Sequence, residues 1–410
     1  MADVVESLNV MHKEVYPEGV PDLVPDLMKV QKTIGFSKAD MLGSQYVQPV
    51  RLAMPGGFTH AKGDGTAGAF SLNDSKAGTQ QKATITANQI LLRDQMSYED
   101  AGKAAGGKRS FVQGTKFFYE GLQKSMRKRL EIMLLYGSQS VGTIGAYSAS
   151  NASYGNQPTI TVNTAQWAPQ IWAGAEGSEI DVQTAATSTV RGSAVIVQVD
   201  IENKVLVLSA TVTGAVANDQ IYFKGNFGNE MLGIHGILNT NSKFGIDGGV
   251  YSLWKASASA LSSTALSFAA IKKAVGKAVA KGLDEDVTLF CNPGGWDDIA
   301  SDIAALRTVD KSEVKRVEIG TEEIVFHSQN GKIEIVSHPM VKEGFAYGIC
   351  TPYWKRIGAV DMQFGAPGFG GEVFFHLQTK AGVEARMYTN QAVFPERPGT
   401  SFVISGIVNT

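Results

Sequence analysis

Two glycine-rich stretches carry the residue types and spacing of phosphate-cradling loops, in which closely approaching backbone N–H groups bind oxyanions. Gly63-Asp-Gly-Thr-Ala-Gly68 fits GxGxxG, and Gly102-Lys-Ala-Ala-Gly-Gly107-Lys108-Arg109-Ser110 approaches GxxxxGK[ST]. The first lacks the strand before it and the helix after it that a dinucleotide fingerprint needs, so it predicts a flexible polar loop. The second does precede a helix. There Arg109 stands where the magnesium-binding hydroxyl belongs, and Ser97–Ala101 is no buried central strand, so it predicts a glycine hinge leading into a capped helix. An ATP-handling enzyme would rest on that defective loop alone.

The remaining candidates for chemistry are scattered. His12, His60, His235, His327, His338 and His376 show neither HExxH nor any metal-ligand spacing, and His235, inside Met231-Leu-Gly-Ile-His-Gly-Ile237, predicts a satisfied structural histidine. No GxSxG elbow offers a nucleophile. Cys291 and Cys350 form no CxxC pair, and so few cysteines point to a reducing compartment. Asp284-Glu285-Asp286 form a loop cluster, and Asp297-Asp298 are expected in the first turn of a helix, where carboxylates complement the macrodipole. Arg127-Lys128-Arg129 have the charge to meet phosphate backbones, although a solvated helix face accounts for them equally. No catalytic residue, cofactor or metal is expected, and the chain does not read as an enzyme.

The elements that hold these residues belong to a folded chain. Of 410 residues 43% are hydrophobic and 19% charged, which excludes wholesale disorder. Lys and Arg number 37 against 39 Asp and Glu, so no bulk positive field draws nucleic acid. The start Met1-Ala-Asp-Val-Val-Glu lacks the basic and apolar regions of a secretory signal. No stretch approaches the ~20 apolar residues of a membrane helix, so no membrane partner is expected.

Along the chain, prolines interrupt residues 1–42, predicting an extended arm with one short helix at Leu23–Thr33. Tyr46–Met54 and Thr84–Leu92 predict two strands flanking a Gly/Ser/Asp/Lys-rich tip. Such a ribbon has no core of its own and must rest on something else, with a neighbouring copy the expected support. Ser110 to Tyr136 is the clearest helix: Phe111, Thr115, Phe118, Leu122, Met126, Leu130 and Met133 recur at three- and four-residue steps as one buried stripe, and Gly137 is placed to stop it. A Ser/Thr-rich β insertion follows, with a hairpin over Ala194–Leu208 and a strand at Gln220–Phe223. Next come a helix at Phe268–Ala280, a buried strand Val287–Cys291, a helix at Trp296–Leu306, and C-terminal strands over Ile324–Ile407. The class is α+β, without strict βαβ alternation.

This order of elements resembles the major capsid proteins of tailed bacteriophages with the Hong Kong 97-type fold. Local phrases carry the resemblance further: Gly228-Asn-Glu-Met-Leu-Gly-Ile-His-Gly-Ile-Leu238 with Tyr251-Ser-Leu-Trp254, Cys291-Asn-Pro-Gly-Gly-Trp296, and Arg386-Met-Tyr-Thr-Asn-Gln-Ala-Val-Phe394. The resemblance implies an N-terminal arm (1–42), an E-loop (43–100), a peripheral domain with a spine helix (101–145), a β-rich insertion domain (146–228), an axial domain (229–350) and peripheral C-terminal strands (351–410). It implies a structural protein assembling into hexamers and pentamers of an icosahedral shell around double-stranded DNA, in the virion and assembled in the host cytoplasm. A portal, a separate scaffolding protein and a decoration protein are the implied partners. Intersubunit contact is expected through Tyr46, Val50, Leu52, Lys62, Ile85 and Ile90 of the E-loop. Arg127, Lys128 and Arg129 are expected to face DNA or a neighbour. Some members crosslink a loop lysine to an asparagine beside a glutamate; Lys62, Lys76, Lys82, Asn390 and Glu396 occupy the corresponding regions, and no crosslink is expected. A nanocompartment shell with the same architecture and a tail-tube or adhesin-like β protein are the alternatives.

Overall fold

The computed structural model describes residues 28–38, 45–66, 68–99, 114–185, 189–307, 323–328, 331–365 and 373–409. Most of the arm, the start of the helix expected at Leu23, the glycine hinge and the capping Ser110 lie outside them. The described parts of Ile90–Arg129 and Met362–Thr389 form one compact unit, and those of Leu27–Gln89, Leu130–Asp361 and Asn390–Thr410 form another.

In the first unit, strand Asn88–Ser97 pairs with Gly382–Pro395, which also pairs antiparallel with Phe374–His376. Tyr119 from the long helix packs edge-on against Phe364, with ring centroids 5.1 Å apart, and tilts over Phe374 at 5.4 Å.

The second unit is built on a six-stranded sheet in the order Ser257–Thr264, Phe402–Ile407, Phe345–Ile349, Val287–Cys291, Gly331–Ser337, Glu323–Ser328. All five residues of Val287–Cys291 are buried, as its unbroken apolar run requires. Helix Phe268–Val279 lays Ile271, Ala274, Val275 and Ala278 against the sheet, with Ser267 capping it through Ala270 N–H at 3.3 Å. The next helix begins at Pro293, earlier than its apolar pattern suggests. Asn292 supplies the cap, its Oδ1 accepting from Gly295 N–H at 2.8 Å. Asp297 and Asp298 therefore lie beyond the first turn, which carries no acid.

The β insertion is a closed six-stranded barrel. Gln220–Phe223 pairs with both Gly142–Asn151 and Glu179–Gln183, and the ring closes through Gln157–Val162, Val205–Leu208 and Val190–Asp200. Its interior is filled by Ile144, Ile160, Ile180, Ile196, Leu206 and Ile221, all buried.

Two expectations change. The strand read over Thr84–Leu92 is two strands, Gln80–Ile85 and Asn88–Ser97, belonging to different sheets. The long helix, described over Gly114–Tyr136, shows the single stripe at Leu122 and Met126, but from Leu130 to Tyr136 every residue is buried. Its last turns are surrounded, because the arm, the 338–344 turn and the Gly233 backbone all close on it.

Gly137 ends that helix by close approach. A Cβ there would stand 2.3 Å from the Met231 carbonyl oxygen, and one on Gly233 would meet Gly137 N at 2.5 Å; Gly233 N–H also donates to Gly137 O at 3.0 Å. Since backbone rather than a pliable side chain blocks both positions, Gly137→Ala and Gly233→Ala should each destabilise the fold by about 1–3 kcal/mol. Denaturant unfolding of the unassembled chain checks this, and wild-type midpoints would contradict it.

Candidate assembly surfaces

The ribbon expected to serve as an E-loop pairs Tyr46–Arg51 with Gln80–Ile85, from Tyr46↔Ile85 to Arg51↔Gln80. Its base rests on its own chain. Ala83, Ile85 and Leu52 are buried, Thr84 N–H donates to Phe244 O at 2.9 Å, and the Tyr46 ring meets Phe394 edge-on at 6.2 Å with the Lys355 ammonium 5.4 Å from its centroid. Support from a neighbouring copy is therefore not needed at the base, and Leu52 and Ile85 bury their apolar surface within the chain.

Past Leu52 the ribbon narrows to one bridge, Gly56↔Lys76. A turn follows in which Asn73 takes Thr59 Oγ1 on its N–H at 2.8 Å and donates its side-chain amide to Phe58 O at 2.7 Å. Met54, Phe58, Phe70 and Leu72 are 78%, 75%, 51% and 79% exposed there. These four are the apolar residues the sequence reading missed, although large side chains in a Gly/Ser/Asp/Lys background were the available signal. Tyr46, Val50 and Ile90 are half-buried and Lys62 is exposed. Gly63–Thr66 form a turn with Asp64 Oδ1 accepting from Thr66 N–H at 2.9 Å, a polar loop rather than a nucleotide cradle.

A second missed residue is Glu131, buried in the long helix. Its carboxylate accepts from Val30 N–H at 2.6 Å, Gln31 N–H at 3.0 Å and His338 Nε2 at 2.9 Å. His338 Nδ1 in turn accepts from Met340 N–H at 3.2 Å, so the ring's proton sits on Nε2. Glu131 thereby caps the one-turn helix Val30–Thr33 from another segment. Arg356 holds the following residues, with Nε donating to Ile34 O at 2.9 Å while Nη1 binds Asp361 at 2.8 Å.

The turn 338–344 then carries the barrel. Lys342 is buried, its ammonium donating to Ser140 O at 2.8 Å and Gln166 Oε1 at 2.7 Å, 4.5 Å from the Tyr136 ring centroid. Glu343 N–H and Gly344 N–H donate to Trp167 O and Ala165 O, both at 2.9 Å, and Lys204 pairs with Glu343 at 2.7 Å. Burial without a carboxylate partner pulls the Lys342 amine down to about 7. His235 is structural, as expected: Nδ1 lies 2.8 Å from Tyr347 OH, and burial with the nearby Lys342 charge holds it at about 3.

Arg127, Lys128 and Arg129 are half-buried and engaged with other groups of the chain, so the freely solvated face is not what the structure holds. Glu396 pairs with Lys355 at 2.8 Å. Among the described residues no group of three or more His, Cys, Asp or Glu is placed to hold a metal, and no helix is long and apolar enough to cross a membrane.

No protein-family model matches the chain, and no curated protein matches it. Solved structures do. The capsid asymmetric unit of cyanophage A-1(L) superposes with a TM-score of 0.56 at 9% identity, over 97% of this chain and 99% of that one. The capsid of the native GTA particle gives 0.53 at 7% identity, over 100% and 99%, and that of the empty GTA particle 0.50 at 7%, over 97% and 96%. The chain thus has a mixed α/β fold shared end to end with the capsid chains of cyanophage A-1(L) and of the GTA particle, and the resemblance read from its sequence is one of fold.

Two outcomes follow from the buried groups. Glu131→Gln, which presents an amide donor where carboxylate oxygens accept, should destabilise the fold by about 3–5 kcal/mol in denaturant unfolding, with an unchanged midpoint as the contrary result. Lys342 and Lys243, both brought from 10.5 to about 7 by burial, bind fewer protons folded than unfolded between those values. Stability should therefore rise with pH from about 7 toward 10. Lys342→Met should flatten that rise, read from denaturant unfolding across about pH 7 to 10; a slope identical to wild type would refute it.

Proposed function

We propose that this chain is the major capsid protein of a tailed bacteriophage, assembling into hexamers and pentamers of an icosahedral shell that encloses double-stranded DNA. The observation that carries the reading is the apolar loop tip on a capsid-type fold: Met54, Phe58, Phe70 and Leu72 stand exposed on a ribbon anchored only at its base. Exposed apolar groups collected on one projecting element mark an interaction site, and a two-stranded ribbon gains stability by lying on a further surface. In a shell of identical copies that surface is the next subunit, with Tyr46, Val50 and Lys62 of the ribbon, and Ile90 of strand Asn88–Ser97, as further proposed contacts.

A net charge of −2 lets many copies pack without large mutual repulsion. Local charge on Arg127, Lys128 and Arg129 is suited to DNA phosphates inside the shell or to acidic groups of a neighbour. A scaffolding protein, a portal and a decoration protein are the expected partners in assembly, with the barrel as the element available to the last.

The test is gradient sedimentation with electron microscopy on the chain expressed alone and with its neighbouring genes. Closed shells tens of nanometres across are expected, and a stable monomer near 43.7 kDa under both conditions would overturn the reading. The variant Met54→Ser/Phe58→Ser/Leu72→Ser should remain folded and fail to close shells, since none of the three is buried in the subunit.

A further inference from the structure

From Gly248 to Leu283 the chain contains no Asp or Glu but five lysines: Lys255, Lys272, Lys273, Lys277 and Lys281. From Asp284 to Leu306 the sign inverts, with Asp284, Glu285, Asp286, Asp297, Asp298 and Asp302 and no lysine or arginine. A chain that is nearly neutral overall thus carries two adjacent blocks of opposite charge within one compact unit.

The structure turns these blocks into surfaces. Helix Phe268–Val279 buries its apolar side on the sheet and turns Lys272, Lys273 and Lys277 outward among the exposed small residues Ala269, Gly276 and Ala280. A Cβ added to Gly276 would meet nothing within 4 Å, so another chain can approach this face closely. Lys277 places its ammonium 2.8 Å from Ala258 O on the outermost strand of the six-stranded sheet, and Lys281 places its own 2.8 Å from Lys255 O just before that strand. The Lys277 bond covers part of an open strand edge, and the bonds together hold two charges in place with donors to spare. None of the ion pairs among the described residues uses Lys272, Lys273, Lys277 or Lys281, and none uses Glu285, Asp286 or Asp297. The three carboxylates are exposed. Burial and the charges of Lys255 and Lys277 also hold the Lys281 amine below its ordinary range, the mark of a cluster short of anions.

We propose that the lysine face of helix Phe268–Val279 in one copy docks on Glu285, Asp286 and Asp297 of the next, an electrostatic contact that registers subunits side by side. It rests on the shell reading only in taking this contact to close a ring, for which identical copies must present two different patches to each other. Complementary charge of this kind steers approach and fixes register more than it adds raw affinity.

Two reversal variants test it: Lys272→Glu/Lys273→Glu and Glu285→Lys/Asp297→Lys, all at exposed positions. Each variant alone should lose association, read by sedimentation velocity of unassembled chains at low salt and by shell yield, with a drop of at least about tenfold. An equimolar mixture should restore association in sedimentation, since each reversed face then meets its complement when the two variants alternate; shell yield is not expected to recover, because a five-membered ring cannot alternate two partners. The restored association should vanish near 1 M salt, where the screening length is ~3 Å. Wild-type behaviour of either variant alone, or a mixture no better than its parts, overturns the proposal and leaves the shell reading standing. A basic-face variant that assembles normally but loses DNA also overturns it, by giving the face to nucleic acid. Salt-sensitive heteromers in the mixture without closed shells from wild type would sustain this contact and remove the shell reading.

Discussion

The Glu131 carboxylate is the constraint around which the second unit is arranged. A buried charge costs several kcal/mol to desolvate unless its oxygens are satisfied. Here the satisfying donors come from Val30 and Gln31, about a hundred residues upstream, and from His338, about two hundred downstream. The helix therefore cannot close its buried last turns alone: arm, helix and the end of strand Gly331–Ser337 must arrive together. His338 opens a turn whose next members carry the rest, since Tyr136 OH donates to Met340 O at 3.0 Å and Lys342, Glu343 and Gly344 all bind the barrel. One short turn thus couples the N-terminal segment, the long helix, the sheet and the insertion.

Two β elements of this unit solve the problem of free strand edges in opposite ways. The barrel pairs its first and last strands and keeps no open edge, so it can stand on the 338–344 turn as a closed block. The ribbon of Tyr46–Arg51 and Gln80–Ile85 is a two-stranded sheet, and beyond Leu52 it gives up regular pairing while turning large apolar side chains outward. Stability in the barrel is a property of one chain. At the ribbon tip it is deferred to whatever the tip meets.

Sequence legibility followed the range of the interactions. The helix Phe268–Val279, the strand Val287–Cys291 and the hairpin turning between Asp200 and Val205 were readable because local periodicity and turn chemistry decide them. Barrel closure was not, because it depends on pairing Ile221 with Gly142 across nearly eighty residues. The break at Thr86-Ala87 was hidden by a continuous β-like composition, and only the capture of Asn88–Ser97 by a distant strand reveals it. Glu131 escaped because a glutamate in a helix rich in lysine and arginine, which also carries Glu120, reads as a solvated surface residue. The ribbon itself was legible, but its division into a supported base and an unsupported tip was not: Leu52 and Ile85 differ from Met54 and Leu72 in what the chain folds back upon, not in residue type.

That division separates the groups that fix the chain's own fold from those it leaves exposed. Groups that hold the subunit together, Glu131, Arg356 and Lys342, are buried and bonded within it, so subunit shape does not wait on assembly. The groups left exposed for the proposed contacts are of two kinds: apolar side chains at the end of a ribbon, and charges on the sheet-packed helix Phe268–Val279 and the carboxylates beyond it. Apolar burial is non-directional and scales with area, so a tip on a long ribbon tolerates small differences in where it lands. Charged contacts depend on separation and salt, so faces carried on the six-stranded sheet can set register. The shell proposed above would need both: register, so that each copy adds in the right place, and compliance, because the proposed five-fold and six-fold surroundings cannot present the same geometry to the same chain.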